Sequence, residues 1–106
     1  FGVVPEAATR FASQLTSYSR LRVIGLMTIA RLSADPEVSR RCFGLLREVR
    51  NAIRQDGPAG MQCNGLSMGM TSDFEVAIEE GATVVRVGQA LFGPRGVPDD
   101  VYWPST

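Results

Sequence analysis

The sequence predicts an α/β fold: three parallel strands alternating with helices, of the kind that forms the C-terminal part of a (β/α)8 TIM-type barrel. Three observations carry this expectation. Apolar runs of strand length alternate with segments of helical periodicity, which argues for parallel strand–helix units. The first run, LRVIGLMTI (Leu21–Ile29), is almost continuously apolar, as strands are when a parallel sheet is buried on both faces. The chain has 106 residues, whereas a closed barrel needs about 200 or more. It therefore has room for only the last three strands of one. The chain begins at Phe1, directly on a turn, and so reads as part of a longer product.

The elements follow in order. Pro5 and Glu6 open a helix, since proline suits the first helical position and an acid suits the positive dipole end. Phe11, Leu15 and Tyr18 repeat along it at helical spacing. The Leu21–Ile29 strand comes next. Asp35 is an N-cap with Pro36 in the first turn of a second helix. Val38, Cys42, Leu45, Leu46, Val49 and Ile53 are its expected buried stripe. Gly57 and Pro58 stop it. Gln62–Met68 is a second strand. Ser72 and Glu75 match the S-x-x-E capping box of a third helix, which ends at Gly81. Ala82–Gly88 is the third strand. Residues 1–95 make the expected barrel part, and residues 96–106 an irregular, proline-containing tail.

Composition excludes several classes. Formal net charge is zero and the hydrophobic content is 44%. No basic stripe with interleaved aromatics suggests nucleic acid. No apolar run approaches the ~20 residues of a membrane span. Cys42 and Cys63 lack metal or redox spacing and read as core thiols of a reducing cytoplasm. The chain contains no histidine and no lysine; all eleven basic residues are arginine. No imidazole base and no internal Schiff base can be built from it.

The chemistry points to Leu66–Gly88, LSMGMTSDFEVAIEEGATVVRVG. Strand alternation sets Ala82, Val84, Arg86 and Gly88 on one face and Thr83, Val85 and Val87 on the other, helix-facing side. Arg86 then points away from the helices, where a buried guanidinium needs a partner. Two partners remain open: a carboxylate on a neighbouring strand, or a bound anion near the strand ends. The turn Gly69–Ser72 lies between a strand end and a helix start, where backbone N–H groups and small hydroxyls can hold a phosphate. Gly69 and Gly88 allow close backbone approach.

GLMTI (Gly25–Ile29), LSMGM (Leu66–Met70), SDFEVAIEEGATVVRVG (Ser72–Gly88) and LFG (Leu91–Gly93) together resemble the C-terminal part of the YggS/PLPBP family. The opening FGVVPE resembles the turn after that family's fifth strand. These are pyridoxal 5′-phosphate (PLP) homeostasis proteins with an alanine-racemase-like barrel. The resemblance implies PLP as cofactor and partner, held and buffered without catalytic turnover. It implies Ser67, Gly69, Met70, Thr71, Arg86 and Gly88 as phosphate contacts, with Met27 and Thr28 at the pocket mouth. Thr71 replaces the family's usual serine and keeps the hydroxyl. The family's PLP-bearing lysine lies upstream of everything present here. Two other readings are a piece of a type III PLP enzyme such as an amino-acid racemase, and a small phosphate-binding module. Three strands with open edges are also expected to self-associate.

Overall fold

The computed structural model describes residues 2–93; the expected tail and the boundary at residue 95 lie outside these. The first helical segment begins as a 3₁₀ turn, Pro5–Ala7, and continues as α1, Ala8–Leu15. Strand β1, Gly25–Met27, is followed by the long helix α2, Pro36–Asp56. Then come β2 (Gly65–Met70), α3 (Phe74–Glu79), β3 (Val84–Arg86) and α4 (Gly88–Phe92). The three strands lie in the order β1-β2-β3, and both pairings are parallel. The predicted order and direction are thus found.

The outer strands are shorter than expected. A strand exists where a neighbour completes its ladder, and β1 is laddered only where Gly25–Met27 meets Gly65–Ser67. Likewise β3 stops at Arg86, and Gly88 opens α4 instead of ending a strand.

All the helical packing is on one side. Leu66 and Met68 are fully buried with Phe43 of α2 and Ala77 of α3. Leu26 packs against a second cluster of Ala12, Ile53 and Cys63. Among the described residues the other side of the sheet is open, so the expectation of burial on both faces is corrected: Met27 and Ile29 are each more than 60% exposed. The predicted stripe of α2 holds in part: Ile53 is buried and Leu46 and Val49 pack on the core, but Leu45 is exposed, and Ser39 and Phe43, outside the stripe, are buried. Ala82 and Thr83 depart from the predicted alternation as well, because they precede β3. Ala82 packs on the helix-side cluster. Thr83 is exposed, and its Oγ1 accepts from the Leu66 N–H at 2.9 Å.

Two helix starts contrast. Asp35 caps α2 as predicted, accepting from the Glu37 N–H at 3.0 Å. The Ser72 capping box does not form; Asp73 occupies the position before α3. The far end of α3 is docked on α2 by charge: Arg40 meets Glu79 at 3.1 Å and Glu80 at 3.0 Å, and Arg47 donates to the Glu80 carbonyl at 2.9 Å. Glu79 first, then Glu80, hold the Arg40 guanidinium above its ordinary pKa.

Candidate functional site

The residues singled out from the sequence meet where the three strands end. Ser67 pairs with Met27 on one side and with Val84 on the other, and Met70 pairs with Arg86. Leu66 and Met68 face the helices, so Met27, Ser67 and Val84 form one row on the opposite face. Ser67 makes no side-chain hydrogen bond among the described residues.

Arg86 lies one step nearer the strand ends than Val84. Its Nη2 donates to the carbonyl of Thr28, just beyond β1, at 3.0 Å. Because β2 lies between β1 and β3, the guanidinium spans the middle strand. The Thr28 N–H donates in turn to the Ser67 carbonyl at 3.1 Å. Of the two partners open to Arg86, a carboxylate is not found: among the described residues it forms no ion pair. Its Nε is buried and has no hydrogen-bond acceptor. An unmade hydrogen bond of this kind costs about 1–3 kcal/mol, and more on a charged group. A cationic fork with a donor left over suits an oxyanion, whose oxygens accept several N–H groups together.

The turn after β2 is built differently from expectation. Gly69 has φ +105°, and a Cβ there would sit 2.7 Å from the Ala77 Cβ and 3.1 Å from the Phe74 Cα. The missing side chain therefore lets α3 lie against the end of β2. The Met70 N–H is not free, as a phosphate-binding turn had suggested: it donates to Asp73 Oδ1 at 2.8 Å. The Met70 carbonyl accepts from the Asp73 N–H at 3.1 Å. Asp73 reaches back three residues as the acidic member of a capping box does, two residues earlier than the predicted Ser72–Glu75 pair. Its Oδ2 accepts from Ser39 Oγ of α2 at a long 3.4 Å. Asp73 lies in the SDFEVAIEEGATVVRVG stretch that carries the family resemblance, but the sequence reading gives it no role; the M-x-x-D spacing is the signal for one. Thr71, half-buried, follows Met70 in this turn.

Gly88 stands beyond Arg86 at the start of α4. A Cβ built there meets nothing within 4 Å, so the position faces open space. Of the methionines, Met68 is fully buried core, whereas Met27 and Met70 are exposed beside the site. The two thiols lie elsewhere and are free, Cys63 buried and Cys42 half-buried. Burial pushes the Cys63 thiol up, with Arg50 and Arg54 opposing. Among the described residues no cluster of three or more His, Cys, Asp or Glu could hold a metal, and no helix is long and apolar enough to cross a membrane.

Comparison with known proteins bears on these strand ends. Residues 1–96 match the family model "Alanine racemase, N-terminal domain". A pyridoxal phosphate homeostasis protein of Aquifex aeolicus is 44% identical over 94 residues, covering 89% of this chain and 40% of that protein. One of Mycobacterium bovis is 41% identical over 91 residues, covering 86% of this chain and 33% of that protein. The solved structure of PipY from Synechococcus elongatus with PLP bound is similar at TM-score 0.79 and 35% identity, covering 87% of this chain and 43% of that chain. This chain thus spans less than half the length of these relatives.

Proposed function

The chain belongs to the alanine racemase N-terminal domain family, and from that premise we propose that it binds pyridoxal 5′-phosphate by its phosphate, within a PLP homeostasis protein that buffers or carries the cofactor without turning it over. The name of the Aquifex relative and the PLP-bound PipY structure support the identity of the ligand. The observation that carries the reading for this chain is the buried, acceptor-less Nε of Arg86 at the strand ends. Open space at Gly88 also fits an anion, as does Ser67, whose hydroxyl makes no hydrogen bond among the described residues and which pairs with Val84, two residues before Arg86.

In this reading Ser67, Gly69, Met70, Thr71, Arg86 and Gly88 are the phosphate contacts. Arg86 supplies the charge. Gly88 leaves room, and Gly69 sets the path of the turn. Met70 contributes its flank, since its N–H is already used. The bound cofactor brings a reactive aldehyde. The residues of this chain bind and orient it, and with no lysine they form no side-chain Schiff base with it. A cytoplasmic setting accords with the two free thiols. Self-association through the open sheet face belongs to the same proposal, because Met27, Ile29 and Val84 are each more than half exposed there.

Arg86→Gln tests it. PLP affinity and urea midpoint are measured for both forms of the full chain. Loss of charge-assisted hydrogen bonds should weaken PLP by about ten- to a hundredfold, with little change in the midpoint, because no carboxylate is stranded. A large fall in the midpoint with unchanged affinity makes Arg86 structural and overturns the proposal.

A further inference from the structure

We infer that Asp73 is a positioning residue, which holds the turn beside the phosphate contacts closed from behind and ties it to α2. The inference rests on the phosphate reading above. Asp73 pins Met70 twice, by Oδ1 to its N–H at 2.8 Å and by its own N–H to the Met70 carbonyl at 3.1 Å. Met70 is itself the ladder partner of Arg86, so Asp73 fixes the strand end that faces the guanidinium. Its other oxygen takes the hydroxyl of Ser39, a buried polar side chain of α2 at 4% exposure.

Charge makes the placement informative. A carboxylate close to an anion seat opposes the anion. Here both oxygens already accept hydrogen bonds from the protein, so Asp73 belongs to the support of the turn and not to the ligand set. Its geometric function needs an acceptor at Oδ1; its charge has no part in it. That separates Asp73 from Arg86, where the charge is the function.

The experiment compares Asp73→Ala, Asp73→Asn and Ser39→Ala with the unaltered full chain, by PLP titration, urea midpoint and amide hydrogen exchange at Met70. Asparagine keeps the acceptor and removes the charge. Asp73→Ala should speed Met70 exchange and weaken PLP by about tenfold, the equivalent of one hydrogen bond. Asp73→Asn should restore the protection and bring affinity back to the unaltered level or above it. Ser39→Ala should show a smaller loss of both. The inference is overturned if asparagine behaves like alanine, or if alanine leaves Met70 protected and PLP affinity unchanged. Should Asp73→Ala not fold, retained Met70 protection and affinity in Asp73→Asn still support it, and their loss overturns it. If the unaltered chain binds no PLP, the phosphate reading fails by itself, and Met70 exchange in the two Asp73 variants still decides whether Asp73 holds the turn.

Discussion

On the helix side of the sheet, Leu66 and Met68 are fully buried against Phe43 and Ala77. On the other side Ser67, the residue between them, lies in an open row with Met27 and Val84. The two environments belong to the same strand and differ by one residue of register. The helix side holds apolar surface that folding removes from water, each large side chain contributing about 1.5–3 kcal/mol. Beyond Val84 on its strand stands Arg86, whose buried Nε lacks an acceptor among the described residues. Stability and chemistry are thus assigned by the alternation of side chains, and a substitution on one face should register mainly in one measurement.

The largest expected effect is on the helix side. Phe43→Ala empties a fully buried position and should cost about 3–5 kcal/mol in urea unfolding. A loss under about 1 kcal/mol would mean that the two faces do not differ in packing as described. Gly69→Ala comes next, because it acts on both faces. It adds a methyl 2.7 Å from the Ala77 Cβ at a positive φ and should cost about 1–3 kcal/mol. It should also weaken PLP, since the turn must shift; a destabilised variant with intact affinity would uncouple α3 packing from the site. The smallest effect is on the open face. Val84→Thr keeps a β-branched side chain at a position 53% exposed, so stability should move by no more than about 0.5 kcal/mol. Sedimentation equilibrium should then show less association. A loss comparable to that of Phe43→Ala would show this face to be covered.

Much of the architecture was legible because its signals are local or periodic. The three strand positions, their parallel order and the Asp35 cap follow from apolar runs, intervening helices and one acid before a proline. The errors have physical sources. The predicted stripe of α2 includes Leu45, yet Phe43 is buried instead, because the crossing of a helix over a sheet selects its buried face and periodicity alone does not. The Ser72 box matches the pattern, but Asp73 takes the Met70 N–H and stands one residue later as the N-cap of α3. At the site, Arg86 was found because a cation in an apolar strand conflicts with its surroundings. Asp73 stands in the stretch that carries the family resemblance, yet the sequence assigns it no role, because an acid before a helix conflicts with nothing.

The bond from Arg86 to the Thr28 carbonyl joins residues 58 apart in sequence. It crosses a strand that must already be laddered on both sides. Loop-closure entropy opposes so distant a contact until nearer ones are made. A seat built on this bond is therefore expected to form only once β2 is paired on both sides, so Arg86→Gln should change the unfolding rate more than the folding rate.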